Sequence, residues 1–76
     1  MKKRGYKEAV HSVPSTEIDR IINEYVHSQR DRKVIKLALL NNLSYTQIAG
    51  RLELEISSRT VQAVMNRWMP VILDHL

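Results

Sequence analysis

Residues 58–67 contain a group of side chains that could hydrogen-bond to nucleic acid. Arginine can donate paired hydrogen bonds to guanine, glutamine and asparagine can pair with adenine, and serine or threonine can bind phosphates or base edges. In the same stretch Val61, Val64, Met65 and Trp68 repeat at the spacing of a helix with one apolar side. The polar residues therefore share the opposite, outward side of one predicted helix, where Ala63 also lies: Ser58, Arg59, Thr60, Gln62, Ala63, Asn66 and Arg67.

This polar helix should begin at Ser57 or Ser58, because serine is a favoured N-cap residue. The free N–H groups at its start could hold a phosphate. Pro70 is predicted to kink or end the helix, since proline lacks the N–H and clashes with the preceding turn. A last apolar turn or a short fifth helix should follow, with Val71, Ile72, Leu73 and Leu76.

Three helices should precede it and hold it in place. The first is predicted to begin at Ser15 or Thr16, with Thr16 and Asp19 resembling a capping box. Its apolar stripe consists of Ile18, Ile21, Ile22, Tyr25 and Val26. The second should run from about Asp31, as N-cap, to Asn41, and Asn41-Asn42 should end it because asparagine tolerates a left-handed stop. Apolar residues cover most of its circumference, which predicts a central position: Val34, Ile35, Leu37, Ala38, Leu39 and Leu40.

The third predicted helix is short and well marked. Ser44 and Gln47 form a Ser-x-x-Gln capping box, and Ile48, Ala49 and Leu52 should be buried. Ser44, like Ser57 before the polar helix, is also a candidate DNA contact. A polar connection over residues 53–57 follows, with Leu54 and Ile56 pointing inward. The sequence thus predicts an all-α bundle of four to five helices over residues 14–76, preceded by a flexible basic arm over residues 1–13.

The parts of a helix-turn-helix are present in this order. A small residue, Ala49, lies where two helices must cross closely, and a turn and a capped helix with an outward polar face follow. The runs Ser44-Tyr45-Thr46-Gln47-Ile48-Ala49-Gly50-Arg51-Leu52 and Ile56-Ser57-Ser58-Arg59-Thr60-Val61 resemble the helix-turn-helix of sigma-factor region 4 and of LuxR-type regulators.

That resemblance implies double-stranded promoter or operator DNA as the partner. It places six residues toward the major groove: Ser58, Arg59, Thr60, Gln62, Ala63 and Asn66. The connection Glu53-Leu54-Glu55 is two residues longer than in these families, so the turn must bulge or the third helix must extend.

Positive charge favours a polyanionic partner, but it is unevenly distributed. The net charge is +4, and residues 1–8 carry four bases against one acid, whereas residues 9–76 carry eight bases against seven acids. The arm residues Lys2, Lys3 and Arg4 are therefore candidate DNA contacts, with solubility as the alternative role. Arg30, Arg32, Lys33 and Lys36 could contact phosphates, or pair with Glu24 or with the acids of the turn.

Other classes of function lack support in the sequence. The chain has no cysteine, its three histidines lack metal-ligand spacing, and no catalytic constellation or glycine-rich phosphate loop is present. The longest apolar run, residues 37–40, is too short to span a bilayer. We therefore expect a cytoplasmic protein that is not an enzyme and uses no cofactor, metal or membrane.

Two functions remain. The first is a sequence-specific transcription regulator that binds DNA as a homodimer, since one small module buries little DNA surface. The second is a protein-binding adaptor that attaches to RNA polymerase or another regulator without reading DNA. In either case the dimer or partner surface is predicted to include the apolar end of the chain, which could instead cap the core: Trp68, Val71, Ile72, Leu73 and Leu76.

Overall fold

The computed structural model describes Val10 and residues 12–51 and 53–76, and this part of the chain is helical without any strand. Its helices are α1 (Ser15–Tyr25), α2 (Gln29–Leu39), α3 (Tyr45–Ala49) and α4 (Ser58–Asp74). The prediction of an all-α fold is confirmed.

Helix α1 begins at Ser15, but its expected capping box is wrong. Pro14 occupies the N-cap position and no side chain caps the helix. Thr16 lies inside the first turn, and the Pro14 carbonyl accepts the N–H groups of Glu17 and Ile18 at 3.0 and 3.2 Å. Asp19 instead accepts from Asn23 Nδ2 at 3.1 Å. The apolar stripe is as predicted, because Ile18, Ile21, Ile22 and Val26 are buried and Tyr25 packs on the core.

Helix α2 lies at the centre of the bundle, as its apolar circumference predicts. Its buried apolar residues are Val34, Ile35, Leu37, Ala38 and Leu39. The predicted N-cap at Asp31 is wrong: Ser28 is the N-cap, and its Oγ accepts the Asp31 N–H at 3.3 Å. The helix ends at Leu39, two residues before Asn41, and Asn42 adopts the left-handed conformation with a φ of 61°.

Helix α3 has the predicted capping box. Ser44 Oγ accepts the Gln47 N–H at 3.1 Å, and Gln47 Oε1 accepts the Ser44 N–H at 2.9 Å. Ile48 is fully buried and Ala49 is half-buried. The prediction that Leu52 is buried falls on a residue outside the described part of the chain.

The connection between α3 and α4 bulges instead of extending α3. Helix α3 ends at Ala49, and Glu55 turns the chain with a φ of 52°, which is rare for a residue with a side chain. Leu54 and Ile56 are half-buried against the core, as predicted. The two additional residues therefore form a compact turn between the helices.

Helix α4 is longer than predicted. It continues through Pro70 to Asp74, so the expectation that Pro70 ends it, with a separate fifth helix beyond, is wrong. Pro70 is exposed. Because proline has no N–H, the helix lacks the backbone hydrogen bond that residue 70 would otherwise donate to the Asn66 carbonyl. Burial of Met69 and Ile72 on either side of Pro70 favours the continued helix.

The core joins all four helices and includes Val10. Val10 is 5% exposed, and Val13 packs against the same cluster. Two residues of the segment assigned to an arm therefore lie in the packed domain. None of the helices in the described ranges is long and apolar enough to cross a bilayer.

Candidate nucleic-acid interface

Helix α4 has two chemically distinct sides. Val61, Val64, Met65 and Met69 are buried in the core. On the opposite side Thr60 is half-buried, and the other residues are exposed to solvent, all of them polar except Ala63: Ser58, Arg59, Gln62, Ala63, Asn66 and Arg67. Asp74 is the sole acid of this helix. From Ser58 to Arg67 the exposed side therefore presents two arginines and two amides over about three turns without a carboxylate, since Asp74 lies at the far end of the helix.

The start of α4 is fixed by its cap. Ser57 Oγ accepts the Thr60 N–H at 3.2 Å and lies 3.2 Å from Thr60 Oγ1. Ser44 has the same role in α3, where it is part of the capping box. The predicted DNA-binding residues Ser44 and Ser57 thus hold helix starts in place, and Ser58 and Arg59 are the first exposed residues of α4.

The acidic turn is partly neutralised by neighbouring cations. Glu53 Oε1 lies 3.7 Å from Arg51 Nε and 3.8 Å from Lys33 Nζ. These are long contacts between half-exposed side chains, so each stabilises the fold only weakly. Their main effect is to reduce the negative charge beside the start of α4.

Three of the four cations of α2 that the sequence offered as phosphate contacts have partners on α1, at its end or in the acidic turn. Arg32 donates to the Val26 carbonyl at 2.6 Å and to the Asn23 carbonyl at 3.1 Å, where it caps the end of α1. Lys36 Nζ lies 3.0 Å from Asp19 Oδ1, and Lys33 contacts Glu53. The structure does not join these three cations to the exposed side of α4 by any described contact.

One polar contact between α2 and α4 was not predicted. Trp68 Nε1 donates to Asp31 Oδ2 at 2.8 Å, and Asp31 is 6% exposed. Arg67 Cζ lies 5.4 Å from the centroid of the Trp68 ring. The two partners of the hydrogen bond are 37 positions apart, so local spacing carried no signal of it.

The predicted partner surface at the end of the chain is divided. Ile72 is fully buried, and Trp68 and Val71 are half-buried. Leu73 and Leu76 are 37% and 42% exposed, which makes them the exposed large hydrophobic residues of the described chain. Among the described residues, these two leucines are the large hydrophobic side chains of this surface that are open to another molecule, and each exposes about two fifths of its area. The arm residues Lys2, Lys3 and Arg4 lie outside the described residues.

Helix α1 carries a separate charge cluster. Arg20 donates to Glu17 and, at 2.9 Å, to Glu24. The hydrogen bond from Arg20 lowers the pKa of Glu17 below its ordinary value, and the same contact raises the pKa of Arg20. Arg20 is thus an exposed arginine with its charge matched on its own helix, unlike Arg59.

No group of side chains in the described ranges could hold a metal ion. Comparison of the chain with protein-family models, with curated proteins and with solved structures found no match. The interpretation of α4 therefore depends on its own chemistry and surroundings.

Proposed function

We propose that this protein is a sequence-specific DNA-binding transcription regulator in which α3, the turn and α4 act as a helix-turn-helix and α4 enters the major groove. The observation that carries the proposal is the open polar side of α4 above a fully packed apolar side. A recognition helix needs both, since it must be held rigidly and still present hydrogen-bonding side chains to base edges.

The side chains on that surface suit base recognition. Arg59, Gln62 and Asn66 lie three or four residues apart, so they project from neighbouring turns of one helix face. Arginine can pair with guanine, and glutamine and asparagine with adenine. Arg59 is the first long side chain after the cap, and N-terminal residues of recognition helices reach base edges in the helix-turn-helix proteins.

A homodimer is the assembly that we propose. A single small module buries about 600–1,000 Å² on DNA, and two copies bind with more area and with a fixed half-site spacing. Leu73 on the last turn of α4 and Leu76 just beyond its end supply apolar surface for such contact.

The same two leucines favour a second candidate, a protein-binding adaptor that attaches to RNA polymerase or another regulator. In that case the exposed end of α4 would bind the partner and the polar side would remain in solvent. The adaptor does not require Arg59, which separates the two candidates.

The test is selection of bound sequences from random duplexes, followed by affinity measurements at two salt concentrations. The wild-type protein should enrich a defined motif and bind less tightly at the higher salt concentration. Arg59→Ala should lose the preference between the selected and a scrambled duplex, at about 1–3 kcal/mol for one paired contact. Arg20→Ala removes the same charge from α1 and is the matched control. Equal preference in wild type and Arg59→Ala would reject α4 as the reading element.

A further inference from the structure

A buried carboxyl group connects an arginine of α2 with the tryptophan of α4. Asp31 Oδ1 accepts from Arg30 Nε, and Arg30 Nη2 also lies 3.3 Å from this oxygen. Asp31 Oδ2 accepts the Trp68 indole N–H. The carboxyl side chain is only 8% exposed, whereas the Arg30 side chain is 53% exposed. The negative charge of this cluster is therefore covered, and the positive end of Arg30 reaches solvent.

The tryptophan also contacts a second exposed arginine, Arg67. Arg67 Cζ is 5.4 Å from the Trp68 ring centroid, within the distance of a cation–π contact. Such a contact uses the electron density of the ring face, and the N–H donors of the guanidinium stay available to an acceptor. The indole that orients Arg67 is itself held by Asp31.

We propose that Arg30 and Arg67 together bind one phosphate group of the DNA backbone, at the edge of the groove that α4 enters. This assignment rests on the proposed function, because Arg67 shares the exposed side of α4 with Arg59 and Asn66. Arg30 contacts Asp31, and Arg67 contacts Trp68. Because Asp31 and Trp68 are hydrogen-bonded to each other, the fold restricts the two long arginine side chains to one region. Restricting them before binding lowers the entropy lost when they close on a ligand.

Phosphate is the chemistry that this cluster fits. Arg30 uses Nε and Nη2 on Asp31, which leaves the donors of Nη1 for a second acceptor. Arginine donors in a planar fork match the oxygens of a phosphate. Two exposed cations above one buried acid attract an anion, and a DNA backbone contact positions the protein without reading sequence.

The experiment measures the dependence of DNA affinity on salt for Arg30→Gln, Arg67→Gln and the double variant, with Arg20→Gln as control. Each single variant should bind all duplexes more weakly, selected and scrambled alike. The double variant should lose about one phosphate contact, which lowers the slope of log K against log salt by about 0.9. Arg20→Gln should keep the wild-type slope. Trp68 fluorescence and the thermal transition check that every variant is folded.

The outcomes separate the two proposals. A wild-type protein that binds no duplex at low salt overturns the proposed function. With wild-type binding present, unchanged slopes in all three variants overturn the shared phosphate site alone. A double variant that loses about 1.8 in slope also overturns it, because the arginines would then contact two separate phosphates. An effect from only one of the two arginines is equally incompatible with a shared site.

Discussion

Among single residues, Asp31 and Trp68 make the contact with the largest expected effect on stability. A buried carboxyl group needs hydrogen-bond partners, since leaving it without them costs far more than a surface contact would. Here the indole N–H supplies one at 2.8 Å, and it links the first turn of α2 to the middle of α4. The sequence suggested Asp31 as a helix cap because its type and position fit that role. The tertiary contact explains why it is buried, and Ser28 performs the capping instead.

Replacing Trp68 by Phe should lower the free energy of unfolding by about 2 kcal/mol, because the buried Asp31 carboxyl group loses the hydrogen bond that the indole N–H donates to it. Urea denaturation measures the change. The smaller ring also removes packing, so the matched control is a double-mutant cycle with Asp31→Ala. The cycle should give a coupling energy above about 0.5 kcal/mol. A coupling of zero would mean that the hydrogen bond contributes nothing to the fold.

Among the elements, the start of a helix was predicted correctly where its cap is formed by residues that are close in the sequence. The Ser44–Gln47 capping box and the Ser57 cap each depend on residues three positions apart, and the structure has both. Local reasoning was wrong where the core decides. It placed a cap at Thr16, which lies inside α1. It also expected Pro70 to kink or end α4, whereas the helix continues past Pro70 because the burial of Met69 and Ile72 outweighs the loss of one backbone hydrogen bond.

Pro70→Ala tests the continuity of α4. Alanine restores the N–H for the Asn66 carbonyl and removes the clash, at a site where the side chain is exposed. We expect a gain in unfolding free energy of about 2 kcal/mol, after allowing for the greater freedom of the unfolded chain. Chemical denaturation measures it. Pro14→Ala is the control, since Pro14 is an N-cap residue whose N–H is not needed, and it should give no gain. A loss of stability in Pro70→Ala would contradict a helix that passes through this residue.

For the whole molecule, the distribution of charge separates two contributions to the DNA binding that we propose. The exposed side of α4 would select sequence, whereas the basic residues at the start of the chain would add attraction to any duplex. The sequence alone identified the polar side of α4, because helical spacing sorts its residues onto two faces. It could not show whether that side stands open, since coverage depends on where the end of the chain packs. In the structure Ile72 is buried in the core and Leu73 and Leu76 remain exposed.

Deletion of residues 1–8 should weaken binding to selected and scrambled duplexes by the same factor. The segment carries four basic residues, and each phosphate contact that it makes adds about 0.9 to the salt slope. Fluorescence anisotropy at several salt concentrations measures both quantities. A larger loss on the selected duplex than on the scrambled one would place sequence recognition in this segment.

The entry of α4 into DNA is tested most directly by an NMR titration of the ¹⁵N-labelled protein with a selected duplex. Amide and side-chain signals of Arg59, Gln62 and Asn66 should shift most, and those of Glu17, Arg20 and Glu24 on α1 should stay nearly unchanged. Signals that shift only at Leu73 and Leu76, or that leave α4 unaffected while DNA is bound, would contradict the account.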